Sequence, residues 1–292
     1  MGKHLPYVVA AGMLAGLGIT VASPRAAADA EQLLRSAEIS FSLYTLGAKG
    51  MEIGMTMRRD AESLQTETAL RTAGILDLAM RFTMTGTSGA RVNDDRYVPT
   101  YYTTQSDGTW SKRAISMSWG ADGLPVAEVS PPNAEDDRDE VPDLLKANTL
   151  DPTTAIMARL LKPGVTPNCT GMDAIYDGRR RYNLHYTALG PDTVKPHNRT
   201  AYSGAAYKCQ SKVEPIAGYD RKFLAEWSEK DEQPTYIWLV QPQGYDIWIP
   251  VQMEASGRLG PARAWITGAR LNGRDWLQPL GLIRAELPKD NN

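Results

Sequence analysis

The chain has 292 residues, of which 42% are hydrophobic and 23% are charged, a composition typical of a globular protein with a substantial core. Its 32 basic and 34 acidic residues nearly balance, which excludes a generally basic nucleic-acid-binding protein. After the first thirty residues no apolar run reaches about 18 residues, so a protein that crosses the membrane several times through helices is excluded as well.

The N-terminus has the three parts of a secretory signal peptide. Lys3 gives a basic start, residues 5–22 form an apolar run, and the small residues around Ala28 provide an A-x-A-like cleavage site. We therefore predict a signal peptide over residues 1–28 and a single β-rich domain over residues 29–292, free in the periplasm and not an integral membrane protein after cleavage. The alternative is an uncleaved anchor, although the glycines and the proline of the apolar run would make a poor spanning helix.

Most of the segments that follow alternate apolar and polar residues with a period of two, the pattern of strands with one buried face. Strands are predicted over residues 38–46, 51–57, 63–71, 97–104, 111–119, 126–129, 174–176, 182–187, 204–213, 235–241, 245–255, 262–271 and 280–287. Short helices are predicted over residues 74–83, from residue 151 to residue 161, and as a turn or two within 220–229. There is no repeat and no βαβ alternation, so we predict a mainly β fold: one large curled antiparallel sheet, a spiral or half-open barrel, with two or three short helices.

A proline-led acidic segment, residues 131–143, interrupts this pattern. We predict a surface loop there, and the alternative, a calcium site, has neither the ligand spacing nor the central glycine of an EF-hand loop. The helix that follows should begin at Asp151, because an aspartate caps free N–H groups and Pro152 suits the first helical position.

The two cysteines of the chain are Cys169 and Cys209. An even number in an exported protein predicts a disulfide, which would close a loop of 41 residues, counted from 169 to 209 inclusive, and join two neighbouring strands. The spacing excludes a C-x-x-C redox motif and a zinc knuckle. Two buried free thiols or a reactive thiol are the alternatives, and a reactive thiol would need a histidine such as His185 or His197.

A cluster of charge follows the dipeptide Asp177-Gly178, which predicts a hairpin turn. If the next residues continue as a strand, Arg179 and Arg181 share one face and Arg180 takes the other. The arginine fork binds phosphate and carboxylate groups, so Arg179 and Arg181 are a candidate anion anchor. The alternative, which we favour from the sequence, is that the arginines pair with acidic neighbours and fix the register of the hairpin.

The pattern D-G-R-R-R-Y, with a cysteine on each side, is distinctive. The residues that carry a resemblance are Asp151-Pro152-Thr153-Thr154-Ala155, Cys169, Tyr176-Asp177-Gly178-Arg179-Arg180-Arg181-Tyr182-Asn183-Leu184, Cys209 and Pro215-Ile216-Ala217-Gly218. With them, residues 151–273 resemble a bacterial family known as domain of unknown function 3108 (DUF3108). The resemblance implies an exported protein of proteobacterial type with a curved β-sheet and, by fold analogy, a likeness to periplasmic proteins whose half-open β-structures shield lipids or lipoproteins. The family has no agreed catalytic residues, so the resemblance implies none.

The sequence contains no G-x-S-x-G elbow, H-E-x-x-H helix or glycine-rich phosphate loop. We therefore predict no catalytic residue, metal or cofactor, and a non-catalytic periplasmic protein that supports the cell envelope by binding a lipid, lipoprotein or other amphiphile on a concave sheet. Its expected partners are a lipid or an envelope protein and not a nucleic acid. Two alternatives stay open: a periplasmic hydrolase that acts on an envelope polymer through paired carboxylates, and a scaffold that binds a protein partner at a sheet edge.

Overall fold

A computed structural model describes most of the chain after the predicted signal peptide. The described residues are 33–93, 96–109, 111–120, 122–133, 137–162, 164–226, 233–257 and 260–278. All of them belong to one compact unit, Glu31–Asn292. The predicted signal peptide and the strand predicted over residues 280–287 lie outside the described residues.

The described residues form 14 strands and four short helices. The strands are β1 (Ser36–Thr45), β2 (Ala48–Arg59), β3 (Ser63–Thr72), β4 (Phe82–Asn93), β5 (Arg96–Gly108), β6 (Lys112–Trp119), β7 (Pro125–Ser130), β8 (Gly171–Tyr176), β9 (Arg181–Val194), β10 (Gly204–Ala217), β11 (Thr235–Val240), β12 (Ile249–Gly257), β13 (Gly260–Leu271) and β14 (Arg274–Leu277). The helices are α1 (Ile75–Ala79), α2 (Asp143–Lys146), α3 (Pro152–Leu160) and α4 (Arg221–Glu226).

All named strands belong to one antiparallel sheet in the order β7-β6-β5-β4-β3-β2-β1-β13-β12-β11-β10-β9-β8, and β14 pairs with β13. The sheet begins and ends at β7 and β8, and these two edge strands do not pair with each other within the described residues. The predicted fold class, one large curled antiparallel sheet, is therefore confirmed, with four short helices instead of two or three.

The apolar core lies against one face of this sheet and is completed by α3. Alternate residues of β1 point into it, and Ile39 and Phe41 are almost fully buried. From α3, Met157 and Leu160 join the same apolar cluster, together with Met57 of β2. The concave side of the sheet is thus covered by a helix and filled with the protein's own side chains.

The predicted start of α3 is confirmed. The Asp151 carboxylate accepts the backbone N–H groups of Thr153 and Thr154 at 3.0 and 2.9 Å, and Pro152 occupies the first turn. Asp151 also accepts the hydroxyl of Ser88 on β4 at 3.1 Å, so the cap fastens the helix to the sheet. Burial raises the pKa of Asp151, although these hydrogen bonds act in the opposite direction.

One segment differs clearly from the prediction. The helix predicted over residues 74–83 is only the single turn of α1, and the chain then enters β4, which the sequence analysis did not predict. β4 has glycine at two buried positions, Gly86 and Gly89, so the apolar alternation that marks a strand is absent there. Its identity as a strand comes from the ladders it forms with β3 and β5 on either side.

Candidate functional site

The arginine cluster begins in the turn between β8 and β9. Asp177 and Gly178 lie in this turn, and Arg179 and Arg180 belong to it instead of to a strand, so the prediction that the three arginines alternate along a strand is wrong. The physical reason is the Asp177 carboxylate, which accepts the backbone N–H groups of Arg179 and Arg180 at 3.0 and 2.7 Å and holds the chain in a turn.

Arg179 bridges the two ends of the sheet. Its side chain extends from the turn beside β8 to the segment after β7, where it donates to the Pro131 carbonyl at 2.6 Å and to the Asn133 side-chain oxygen at 3.1 Å. Arg179 is only 5% exposed. The gap between β7 and β8, which do not pair with each other within the described residues, is therefore spanned by a buried guanidinium group, which we call the seam arginine.

The turn also packs against β6, which lies near the other end of the sheet. A Cβ atom added at Gly178 would lie 2.4 Å from Ile115 Cγ2 and 3.5 Å from Met117 Sδ, both on β6. Only a glycine allows the turn to approach β6 this closely, and its φ of +93° also favours glycine. Among the described residues, side-chain packing and Arg179 close the seam, and no backbone ladder joins β7 to β8.

The acidic segment helps to hold the seam. Arg138 donates to the Gly218 carbonyl at 3.1 Å, and Arg221 of α4 pairs with Asp137 and Asp139 at 3.0 and 2.7 Å. Val141, in the same segment, is buried. The part of the predicted surface loop that the structure describes is therefore tied to the end of β10 and to α4.

Arg181, the second residue of the candidate anion anchor, lies at the start of β9. It donates to the Leu145 carbonyl of α2 at 3.0 Å and to the Asn183 side chain at 2.8 Å. Arg179 and Arg181 thus bind different segments of the protein, and an anion would have to compete with these bonds for either one. The anion anchor stays a prediction, and the contacts favour the structural alternative.

Three tyrosines surround the turn without offering a reactive phenolate. Burial raises the pKa of Tyr219 to about 12 and also raises those of Tyr102 and Tyr182, with the Asp177 carboxylate adding to the effect in each case. Arg180, which pairs with Asp177 at 2.7 Å, acts in the opposite direction on each tyrosine without cancelling the rise in pKa. The phenols therefore stay neutral at physiological pH.

Cys169 and Cys209 form the predicted disulfide, with their Cα atoms 5.8 Å apart. Cys169 precedes β8 in the loop after α3, Cys209 lies in β10, and β9 separates those two strands in the sheet. The prediction that the bond joins neighbouring strands is therefore wrong, because it fastens the loop that leads from α3 to a strand. Both cysteines belong to the apolar core.

A cleft of about 330 Å³ opens beside the C-terminal end of α3, and we call it the α3 cleft. Its apolar wall consists of Leu33, Val92, Ala158 and Leu161, with Ala61 beside them. Its polar lining consists of Arg59, Asp60, Tyr97, Lys162 and Asp246. The turn after β2, the facing ends of β4 and β5, the end of α3 and the loop before β12 meet here.

The polar floor of the α3 cleft is an ion pair between Arg59 and Asp246, whose side chains are 6% and 14% exposed. Arg59 also donates to the Tyr97 hydroxyl at 3.3 Å, and Asp246 accepts the Leu34 backbone N–H at 2.7 Å. Burial alone would lower the pKa of Arg59, but the bond to Asp246 outweighs it and the pKa is raised. The Arg59 guanidinium group therefore stays charged, and it is paired with the Asp246 carboxylate.

Two exposed charges flank this floor. The Asp60 carboxylate accepts the backbone N–H groups of Glu62 and Ser63 and the Ser63 hydroxyl, at 2.8, 2.7 and 2.8 Å, and these bonds lower its pKa. Lys162 follows the last residues of α3 and forms no ion pair within the part of the chain that the structure describes. Asp60 is thus already hydrogen-bonded within the protein, whereas Lys162 forms no ion pair with a described residue.

The sequence analysis did not single out any residue of the α3 cleft. Arg59 and Asp246 are 187 positions apart, and no local motif links them. One signal was available, because the period of two in β2 places Arg59 on the same face as Met55 and Met57. A charged residue at an inward position of a strand indicates a buried partner.

No group of three or more His, Cys, Asp or Glu side chains among the described residues could hold a metal ion. Within the same residues, no helix is long and apolar enough to span a membrane.

These features define a curled, one-sheet β-protein whose concave side is occupied by a helix. The family model described as "Protein of unknown function (DUF3108)" matches residues 37–267, and the chain belongs to this family. The match begins in β1, so it covers strands well before the stretch on which the resemblance rested. Comparison with curated proteins gives no significant match to this chain.

Several solved structures are similar to the chain. The first is a β-barrel-like protein of domain of unknown function DUF1849 from Brucella abortus, with 10% identity and a TM-score of 0.43, covering 82% of this chain and 99% of that one. The second is a candidate lipoprotein from Parabacteroides distasonis, with 9% identity and a TM-score of 0.34, covering 83% and 98%. The third is a candidate exported protein with a YmcC-like fold from Bacteroides fragilis, with 10% identity and a TM-score of 0.32, covering 84% and 97%.

Proposed function

We propose that the chain is a non-catalytic protein of the cell envelope, which a signal peptide at residues 1–28, cleaved afterwards, exports to the periplasm. The mature protein binds the apolar part of an amphiphile in the α3 cleft. The disulfide supports export, because such bonds persist in oxidising compartments. The sequence supports it through the basic, apolar and small-residue parts of the N-terminus.

The α3 cleft is the observation that carries the proposal. Its volume of about 330 Å³ falls at the lower end of the range of ligand sites, roughly 300–1,000 Å³. It combines an apolar wall with a few polar groups at one side, which is the usual composition of a site for a small organic ligand. The concave face of the sheet, where the sequence analysis placed the ligand, is less suitable because α3 and the apolar core occupy it.

The test uses two residues of α3 that face different ways. Ala158 lines the cleft, whereas Ile156 is 47% exposed on the same helix. Ala158→Trp should fill the cleft and lower the affinity for the neutral fluorescent probe N-phenyl-1-naphthylamine at least tenfold, while the control Ile156→Trp should keep wild-type affinity. Thermal unfolding of both variants verifies that the fold is retained.

Two results would contradict the proposal. One is the lack of saturable probe binding by the wild-type protein. The other is equal probe affinity in the wild type and in a folded Ala158→Trp variant, which would place the binding elsewhere.

A further inference from the structure

We infer that the α3 cleft selects an amphiphile with a single apolar chain and an anionic head group, and that Lys162 binds this head group. The inference rests on the proposed function, because it specifies the ligand of the same cleft. Three observations carry it: the state of each charge in the cleft, the position of Lys162, and the volume of the cleft.

The first observation concerns the charges. The Arg59–Asp246 pair is buried and neutralises itself, and each partner is also bound to the protein, through Tyr97 and Leu34. Asp60 already accepts three hydrogen bonds within its own turn. A ligand cation therefore finds little acceptor capacity there.

Lys162 differs from these groups. It is exposed, lines the cleft, and forms neither a hydrogen bond nor an ion pair with any residue that the structure describes. An ammonium group has three donors, and all three are available to a ligand oxygen. Among the described lining residues, Lys162 is thus the charged group without a hydrogen bond or an ion pair, and its positive charge is complementary to a carboxylate or phosphate.

The end of α3 opposes an anion weakly, because the last carbonyl groups of a helix carry partial negative charge. Two of these carbonyls are already bonded: Trp248 donates to Leu160 at 2.9 Å, and Leu161 donates to Met157 at 2.9 Å. Lys162 itself follows the C-cap Leu161 and carries its charge at the end of a flexible four-carbon side chain. A head group bound by its ammonium can therefore lie away from the remaining carbonyls.

The size of the cleft limits the apolar part. Leu161, which precedes Lys162 in the chain, and Val92 belong to the apolar lining of the same cleft, so they are available to the chain of a ligand whose head group is at the lysine. A volume of about 330 Å³ suits a ligand at the small end of the usual range, and a lipid with two or three acyl chains exceeds it.

The experiment measures displacement of N-phenyl-1-naphthylamine by ligands with the same ten-carbon chain and different head groups, all below their critical micelle concentrations. The wild type should bind decanoate at least tenfold more tightly than decanol or decyltrimethylammonium. Affinity should rise about fourfold for each CH₂ added from hexanoate to decanoate, the fold-change that corresponds to about 0.8 kcal/mol per buried CH₂, and should stop rising once the cleft is full.

Lys162→Glu should lower the affinity for decanoate at least tenfold and leave the affinities for decanol and the neutral probe unchanged. The matched control is Lys222→Glu, which makes the same change of charge on α4, away from the cleft lining. It should bind decanoate as the wild type does.

The outcomes separate this inference from the proposed function. If Ala158→Trp abolishes probe binding but Lys162→Glu binds decanoate normally, the inference fails and the cleft remains a ligand site. Equal affinity of the wild type for decanoate and decanol also overturns the inference. If Ala158→Trp has no effect on probe binding, the proposed function fails, and the inference fails with it.

Discussion

Replacing the seam arginine tests how the curled sheet stays rolled. Arg179→Ala removes at least two charge-assisted hydrogen bonds, to the Pro131 carbonyl and to the Asn133 side chain, at a site where the arginine is 5% exposed. The backbone of the turn should remain, because it is held by the carboxylate of Asp177. The change therefore acts on the link between the two ends of the sheet.

The magnitude follows from these two bonds. A hydrogen bond to a charged group contributes about 1.5–3 kcal/mol, so the loss of both should lower the free energy of unfolding by about 3 kcal/mol or more. For a domain of this size, each kcal/mol shifts the melting temperature by about 2–4 °C, which predicts a decrease of about 6–12 °C. Arg181→Ala is the comparison: Arg181 and its partners Leu145 and Asn183 are only half-buried, so we expect a loss of about 1 kcal/mol.

The assay is thermal unfolding by circular dichroism, combined with amide hydrogen exchange. In Arg179→Ala, exchange should accelerate most in β7 and in the turn between β8 and β9, and least in the pairing of β1 with β13, because the seam opens locally. A melting temperature within 1 °C of the wild type, with unchanged exchange at the seam, would refute this role. If the variant keeps its stability but loses affinity for an anion, Arg179 is an anion anchor instead.

Three further predictions concern stability. Replacing Cys169 and Cys209 together with Ala should lower the free energy of unfolding by about 2–4 kcal/mol, since closing a loop of this length is worth about 4 kcal/mol by chain entropy, and an unchanged urea midpoint would argue against it. Asp151→Ala should cost about 1 kcal/mol through the lost helix cap, while Asp151→Asn keeps the cap. Because burial raises the pKa of Asp151, the native state binds the carboxyl proton more tightly than the unfolded state does. The wild type should therefore lose stability as pH rises above about 3.8 and through the raised pKa. In urea titrations at several pH values, the Asp151→Asn variant should not show this loss. Gly218→Ala should destabilise the protein much more than Gly123→Ala. Both glycines have a φ near +75°, but a Cβ atom at Gly218 would lie 2.0 Å from a backbone oxygen, whereas a Cβ atom at Gly123 would have no atom within 4 Å. Equal melting temperatures of the two variants would contradict this prediction.

The sequence by itself determined the features that local pattern encodes. In β1 and β2, the alternation of apolar and polar residues was sufficient to predict both strands, because a strand with one buried face repeats every two residues. Asp151 followed by Pro152 was sufficient to place the start of α3, since capping depends on neighbours in the chain. The disulfide was predictable because the chain has two cysteines and an N-terminal pattern that predicts export, and the family was recognisable from the motif around Asp177.

Only the tertiary structure decided which segments that are distant in the chain contact each other. β4 has no apolar alternation at Gly86 and Gly89, and it is a strand because β3 and β5 pair with it. The contacts of Arg179 were not encoded locally either, because the curl of the sheet brings Pro131 and Asn133 to it.

The α3 cleft is formed by contacts between residues that are far apart in the chain. Arg59 and Asp246 are 187 positions apart, and Lys162 joins them because α3 crosses the concave side of the sheet and ends there. The physical reason is that a period in the sequence specifies which side of a strand is buried. The curl of the whole sheet, together with the helix packed against it, specifies which buried groups come together.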